Sequence, residues 1–458
     1  MNADNATENL DYRRVSVALF AALFTAQAGL ISIAPVLAGV AADFHVSTAA
    51  AGQVRTASGL AAGMTALWLA RRRGRVRLKA LLFRGTGLVA GGAIASAVAQ
   101  RLELLVLSQA VVGVGVALLV SAGTAAAAEW APEARRRQVL SWALIGQPAA
   151  WIVGMPISGA LGELSWRHAA LAVPLVGSVG AAVALAGRSD VPPRVGDDAR
   201  FSAMHSDPVV RRWILSEVLA GCGWAGMLVY AGALFTDTYG TSFAATGLVL
   251  AAAAAAYVVG NLGLRRLARE PRPADLVRLS LLLGACVALF GSIRPGIAVS
   301  AGLFAAAGFF AGARTLLASV FGLALSPQRR LALTSARAAA ISFGYFGGSA
   351  VGGLALAIGG FGAAGVALGL LLVGSAATYL GAGGGRLTFL SARRRHSPGT
   401  LGSFSSPRSS NSSPEPATRS RTVPETSTSP GPASAATPAP TTSAIPRIRS
   451  PVRSTSPV

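Results

Sequence analysis

The chain has 458 residues, 52% of them hydrophobic and only 13% charged, with a mean hydropathy of +0.55. Soluble domains carry about 25% charged residues, so water is not the main solvent of this protein. The net charge of +22 does not indicate nucleic-acid binding, because the cations fall between apolar runs and in a tail, where residues 384–458 hold ten arginines and two glutamates.

The residues that usually hold metals or perform catalysis are sparse. The two cysteines, Cys222 and Cys286, lie inside apolar runs, which excludes a disulfide framework and a cysteine metal site. The four histidines are far apart in sequence, and the chain has no P-loop and no nucleophile elbow. We therefore expect no metal, no cofactor and no enzymatic activity.

Twelve apolar runs follow one another along the chain, each long enough or nearly long enough to cross the ~30 Å hydrocarbon layer as a helix. Spans 1 to 6 cover 15–40, 52–70, 79–99, 102–127, 139–161 and 167–187. Spans 7 to 12 cover 212–236, 243–264, 275–293, 296–318, 334–358 and 361–383. The first run is longer than the apolar core of a signal peptide, so we interpret it as a permanent helix.

These runs predict an all-α polytopic membrane protein of twelve transmembrane helices in two six-helix bundles. The predicted segments are an N-terminus (1–14), an N-terminal bundle (15–187), a central loop (188–211), a C-terminal bundle (212–385) and a tail (386–458). The tail is rich in Ser, Pro and Arg and cannot bury enough apolar surface to fold, so we expect it to be disordered. It is either a dispensable extension or an arm that binds lipid headgroups or a partner.

Lys and Arg alternate between the two ends of the spans. With the N-terminus inside, the inner connections hold 23 of these cations and the outer ones hold four, Arg55, Arg101, Arg167 and Arg294. Short cytoplasmic loops retain Lys and Arg. This predicts a multi-pass protein of the cell's inner (plasma) membrane with both termini, the central loop and the tail on the cytoplasmic side.

Span 5 carries a stripe of small residues at every fourth position. The stripe consists of Gly146, Ala150, Gly154, Ser158 and Gly162, and Met155-Pro156 interrupts the helix. Small side chains allow another helix to approach closely, and proline favours a bend. Such a helix is suited to rock against a neighbouring helix. The alternative is that a chain with 54 glycines produces this stripe by chance.

The segment from Gly146 to Gly162 resembles the fifth-helix antiporter motif of the major facilitator superfamily, and Trp166-Arg167 resembles the pair that often opens its sixth helix. The resemblance covers about 15–385 and lies nearest to the twelve-helix drug:proton antiporter branch. It implies export in exchange for protons. The motif residues Gly146, Gly154, Pro156, Gly159 and Gly162 would then have a conformational role.

The connection between spans 2 and 3 is similar to a second signature of the same family, Gly-x-Leu-Ala-Asp-Arg-x-Gly-Arg-Arg. Arg72, Gly74 and Arg75 match it, whereas Arg71 replaces the aspartate that helps to latch the cytoplasmic gate. Gln109 in span 4 stands where many antiporters of the family place an arginine that serves proton transfer. The departure at Arg71 removes a residue of the usual gate latch, and the departure at Gln109 weakens the inference of proton coupling.

Charged residues inside an apolar span are costly, at about 2.5–3.5 kcal/mol each on insertion scales, so they tend to face a partner or a cavity. The candidates are Glu217 in span 7, Arg314 in span 10 and Arg337 in span 11. We expect Glu217 to pair with Arg314 or Arg337 in one access state and to be released or protonated in the other. The alternative is a static salt bridge.

The substrate cavity is expected at the midplane between the two halves. Polar or aromatic candidates near mid-span are Gln27, Gln147, Trp224, Tyr230, Phe310 and Tyr345. With Arg314 as the only deep arginine, such a cavity would suit a lipophilic neutral or cationic compound better than a phosphorylated one.

The leading hypothesis is a monomeric secondary transporter that exports a small lipophilic molecule by alternating access and is driven by the proton gradient. Its partners would be the substrate, protons and the lipid bilayer, with no nucleic acid. Uptake by symport or uniport, and a non-transporting receptor or assembly protein on the same scaffold, are the alternatives.

Overall fold

A computed structural model describes residues 3–71, 77–131, 135–187, 207–265, 272–325 and 330–380, all within one compact unit, Met1–His396. All regular elements in these ranges are helices. The predicted tail (386–458) and residues 188–206 of the predicted central loop lie outside the described residues. The predicted N-terminus is largely helical, because the first helix already begins at Ala3.

The helices begin and end within a few residues of most predicted spans. In the first half they are Ala3–Ile31, Ala34–Val36 and Leu37–Asp43 (span 1), Thr48–Gly52 and Val54–Arg71 (span 2), Leu78–Ala97 (span 3), Leu102–Glu129 (span 4), Arg136–Ala149, Ala150–Gly154 and Met155–Gly162 (span 5), and Trp166–Ala186 (span 6). In the second half they are Pro208–Tyr239 (span 7), Phe243–Arg265 (span 8), Pro273–Ser292 (span 9), Ile297–Leu325 (span 10) and Arg330–Leu380 (spans 11 and 12).

Ten stretches in the described ranges are long and apolar enough to cross a membrane. One of them, Ala336–Leu380, contains spans 11 and 12. Span 2 is a further crossing helix, which has a lower hydropathy because Val54–Arg71 includes Arg55 and Arg71. The predicted all-α architecture of twelve transmembrane helices in two six-helix bundles is thereby confirmed.

The break between spans 11 and 12 falls at two glycines. Gly359 has φ −145° and ψ 24°, and Gly360 has φ 67° and ψ −165°. A positive φ with that ψ is essentially restricted to glycine, so Gly360 can reverse the chain where other residues would be strained. The predicted boundary between 358 and 361 coincides with this turn.

Span 5 deviates from a regular α-helix one turn earlier than the sequence indicates. Residues Ala150–Gly154 form a π-helical turn, and Pro156 lies in the first turn of the α-helix that follows it. A proline ring clashes with the carbonyl four residues before it, and a wider turn relieves that clash. The irregularity therefore precedes Met155-Pro156 rather than lying at it.

Span 1 is also interrupted. A short 3-10 helix, Ala34–Val36, separates Ala3–Ile31 from Leu37–Asp43 and includes Pro35, which has no backbone N–H to donate. The interruption directs the carbonyl of Ala34 toward span 7, where a β-carbon on Gly232 would overlap it. The two halves of the protein thus approach at backbone distance here.

Candidate functional site

A buried cluster of charged side chains joins helices of the C-terminal half. Arg314 of span 10 donates from Nη1 to Glu217 Oε1 of span 7 at 2.8 Å, and Arg337 of span 11 donates from Nε to Glu217 Oε2 at 2.7 Å. The side chains of Arg314 and Glu217 are 5% and 3% exposed, and that of Arg337 is 19% exposed. We call these three residues the charge triad.

Arg314 is held more completely than Arg337. Its Nε donates to Ser280, and its Nη2 donates to the Ser216 carbonyl and to the hydroxyls of Ser216 and Ser375. Arg337 makes one further hydrogen bond, to the Thr315 carbonyl at 3.3 Å. Arg314 is therefore a fixed structural cation. Arg337 has fewer hydrogen-bond partners and is more exposed, so its side chain is better able to move.

One charged residue of the interior does not stand out in the sequence. The apolar pattern places Arg55 in an outer connection, but it lies in the first turn of Val54–Arg71 and is only 5% exposed. The preceding residues Thr48–Gly52 form a separate short helix, so helical structure continues beyond Arg55 toward the predicted outer end. Contrary to the expectation from the sequence, Arg314 is therefore not the only arginine deep in the bundle.

Arg55 lies beside Gln109 of span 4. Its Nη1 donates to Gln109 Oε1 and to the Gly29 carbonyl, both at 3.5 Å. Gln109 is itself buried and donates from Nε2 to Ser96 Oγ at 2.9 Å. The arginine that the family resemblance leads one to expect at Gln109 is thus absent, but a guanidinium group reaches the same place from span 2.

A small cavity of about 20 Å³ lies next to Arg55, between the two halves. Arg55 and Tyr345 are its polar lining, and the remaining lining is aliphatic, from spans 1 and 7: Leu30, Ile31, Ile33, Ala34, Leu37, Leu228 and Val229. A volume of this size holds about one water molecule. The cavity as it stands therefore has no room for an organic compound.

The structure brings together only some of the predicted cavity residues. Tyr345 lines the cavity, and the buried Gln27 lies beside Tyr345. Tyr230 instead has a packing role, because its hydroxyl donates to the Ser349 carbonyl at 2.8 Å. Trp224 stacks on Phe304 at 5.7 Å, as part of an aromatic cluster within the C-terminal half.

The two other cavity candidates occupy different positions. Phe310 packs edge-to-face with Phe309 at 5.6 Å, and Gln147 is half-buried in span 5. Neither lines the cavity beside Arg55 within the described part of the chain.

The stripe on span 5 packs mainly on span 1. β-Carbons on Gly146 and Gly162 would overlap Phe20 and Val36, whereas one on Gly154 would lie 3.2 Å from Val173 of span 6 and 3.5 Å from Ile31. Gly159, which is not in the stripe, faces span 8 in the other half, where a β-carbon would overlap the Phe243 carbonyl. The stripe therefore serves mainly packing within the N-terminal half, and Gly159 adds a contact of span 5 with the other half.

The halves meet at the end of the bundle that is predicted to face outward. Thr48 Oγ1 donates to Asp237 Oδ2 at 3.1 Å, and the backbone N–H of Ala244 donates to Glu163 Oε1 at 2.8 Å. Together with the contact of Ala34 with Gly232, we call these interactions the outer closure. They connect spans 1, 2 and 5 with spans 7 and 8.

Trp166 and Arg167, the pair at the start of span 6, both bind Asp43 at the end of span 1. Trp166 Nε1 donates to Asp43 Oδ2 at 3.1 Å, and Arg167 Nη1 donates to the same oxygen at 2.7 Å. Arg167 also donates from Nη2 to the Ala99 carbonyl after span 3. The pair thus ties together three helices of the N-terminal half. The other predicted motif residues, Arg72, Gly74 and Arg75, lie outside the described residues.

Comparison with known proteins agrees with this architecture. A bacterial homologue of the human lysosomal transporter Spinster, inward-facing and occupied, superposes with a TM-score of 0.60 and 16% identity over 83% of this chain and 96% of that one. The nucleoside transporter NupG, in a mutant form, gives a TM-score of 0.64 and 13% identity over 80% of this chain and 98% of that one. These identities establish the fold alone.

None of the curated proteins compared matches the sequence significantly. The family profile of the Major Facilitator Superfamily matches residues 19–301, which is more than half of the chain. The match begins in span 1 and ends in span 10, so it includes helices of both bundles. The chain belongs to the Major Facilitator Superfamily of membrane transporters.

Proposed function

We propose that the protein exports a small lipophilic compound in exchange for protons, by alternating access. The observation that carries the proposal is the charge triad, since a buried carboxylate is bound by two arginines from different helices and one of those arginines is held by few contacts. A change in helix packing could therefore separate Arg337 from Glu217. The helix ends that form the outer closure would separate in the other access state.

The energy source in this proposal is the proton gradient, and no cofactor takes part. Glu217 pairs with Arg337 in the state in which the outer closure is intact. It is released or protonated when the helices rearrange. The protein acts as a monomer in the cell's inner (plasma) membrane, with both termini cytoplasmic. The static alternative is a salt bridge that only stabilises the C-terminal bundle.

The test is compound accumulation in cells with and without the protein, measured for a library of lipophilic compounds and repeated after the proton gradient is collapsed. We expect lower accumulation with the protein present, and loss of this difference after collapse. Glu217→Gln should abolish the dependence on the gradient. Export by Glu217→Gln that keeps the wild-type pH dependence would remove the coupling role of the triad.

The same assay separates the alternatives. Accumulation that increases with the protein would indicate uptake by symport or uniport. Binding without flux in either direction would indicate a receptor or assembly protein on the transporter scaffold.

A further inference from the structure

Arg55 is the buried charge that the charge triad does not include. Its Nη1 contacts with Gly29 and Gln109 are both at the 3.5 Å limit of a hydrogen bond, and its Nη2 has no hydrogen-bond partner among the described residues. No carboxylate among the described residues forms an ion pair with it, whereas Arg314 and Arg337 share Glu217. The guanidinium group of Arg55 is thus almost fully buried and has N–H groups without an acceptor among the described residues.

A buried cation without a counterion is costly, because water no longer solvates it and weak contacts to neutral oxygens replace little of that solvation. The charged side chains that are buried among the described residues are Arg55, Arg314 and Glu217, and Glu217 is bound by Arg314, which leaves Arg55 without a counterion. Replacement of Arg55 by an apolar residue would remove this cost. A buried arginine that destabilises the fold is expected where it binds a ligand.

The surroundings of Arg55 indicate what it binds. It lines the cavity between the halves with the half-buried Tyr345, and the rest of the lining is aliphatic. The lining comes from spans 1 and 2 of one half and spans 7 and 11 of the other, so separation of the halves would enlarge this cavity. A ligand here would meet one fixed positive charge and hydrocarbon walls.

We propose that Arg55 is the anion-binding group of the substrate cavity, and that the substrate is a lipophilic organic monoanion, of which a carboxylate is the best fit. The proposal rests on the transport function proposed above. A guanidinium group binds the two carboxylate oxygens through parallel N–H groups, and Leu30, Leu37 and Leu228 accept the hydrocarbon part. Arg55 disfavours a cationic compound by repulsion.

The first experiment needs no ligand. Thermal unfolding of the full chain in detergent is compared for the wild type, Arg55→Met and Arg294→Gln, in which an exposed arginine at the predicted outer end is changed. We expect Arg55→Met to raise the apparent unfolding temperature by about 2–4 °C, and Arg294→Gln to leave it unchanged. A lower unfolding temperature for Arg55→Met would overturn the proposal, because the charge would then be satisfied within the fold.

The second experiment measures the shift in unfolding temperature caused by three compounds on each of two skeletons: naphthalene-2-carboxylate, its carboxamide and naphthalen-2-ylmethylammonium, together with decanoate, decanamide and decylammonium. The carboxylates should stabilise the wild type and Arg294→Gln more than the amides or amines do. Arg55→Met should bind them at least about tenfold more weakly. Arg55→Lys should retain the preference for carboxylates with lower affinity, because lysine keeps the charge but not the paired N–H groups.

The outcomes separate this inference from the proposed function. Carboxylate-selective binding that depends on Arg55, without proton-coupled flux, supports the site and contradicts the export function. Export of neutral or cationic compounds that persists in Arg55→Met supports the export function and overturns the site. Absence of any carboxylate preference in the wild type also overturns the site.

Discussion

At the scale of single residues, the three interior arginines differ in how many hydrogen bonds their surroundings accept from them. Arg314 makes five hydrogen bonds, including one to Glu217, and Arg337 makes two. Arg55 donates only two side-chain hydrogen bonds to the described residues, both at the 3.5 Å distance limit. The number of hydrogen bonds predicts which arginines stabilise the fold and which one does not.

We expect Arg314→Gln to destabilise the protein more than Arg337→Gln does. Loss of one partner from a buried ion pair costs about 3–5 kcal/mol, and Arg314 is nearly inaccessible, whereas Arg337 is 19% exposed and leaves Glu217 paired with Arg314 when it is removed. Thermal unfolding in detergent would measure the order. Equal losses, or a greater loss for Arg337→Gln, would contradict the assignment of Arg314 as the fixed cation.

At the scale of helices, the glycines of span 5 contact helices of both halves, and the sequence motif does not show which glycine contacts which half. Its stripe packs on span 1 at Gly146 and Gly162 and lies closest to Val173 of span 6 at Gly154, whereas Gly159 packs on span 8. The π-helical turn Ala150–Gly154 follows Gly146 and precedes Gly159 and Gly162, and such a turn changes the direction of the residues that follow it. Regular spacing in the sequence is therefore not a regular stripe in space.

Gly146→Ala tests the contact of span 5 with span 1. A methyl group at Gly146 would overlap the Phe20 carbonyl, and such overpacking costs about 1–3 kcal/mol. Gly180→Ala in span 6 is the matched control, because a β-carbon there has nothing within 4 Å. We expect a lower unfolding temperature for Gly146→Ala and an unchanged or slightly higher one for Gly180→Ala, since alanine favours a helix over glycine. Similar behaviour of the two variants would refute the close contact.

At the scale of the whole molecule, the two bundles meet at the predicted outer end through the outer closure. The contact between Thr48 and Asp237 links the start of span 2 to the end of span 7. The cavity beside Arg55 is too small for an organic compound while the closure holds. Transport by alternating access therefore requires this end to open.

A covalent link across the closure tests this requirement. In a background with Cys222→Ala and Cys286→Ala, a cysteine pair at Thr48 and Asp237, joined by a short cross-linker with a reducible bond, should abolish flux, and a reductant should restore it. Cysteines at Thr241 and Thr246, whose hydroxyls lie 2.9 Å apart within one half, provide the control and should leave flux unchanged when joined. Full flux through the cross-linked Thr48–Asp237 pair would show that the outer end stays closed throughout the cycle.

The sequence by itself determined the helices, their number and the location of most interior charges. Apolar length is a local property, so the spans and the turn at Gly359 and Gly360 follow from the residues alone. A charge inside a long apolar run must be buried, and on this basis Glu217 and Arg314 could be singled out. Both are buried in the structure, where they form an ion pair.

Only the tertiary structure decided the position of Arg55 and the composition of the cavity. Arg55 is near the end of an apolar run, where the sequence pattern does not distinguish a loop cation from a buried one. In the structure the short helix Thr48–Gly52 precedes it, and Arg55 is buried. Tyr230 and Tyr345 likewise both lie near mid-span, yet one hydroxyl is bound to the Ser349 carbonyl while the other residue lines the cavity. Which side of a helix meets a neighbour depends on contacts between segments far apart in sequence, and the sequence does not encode these locally.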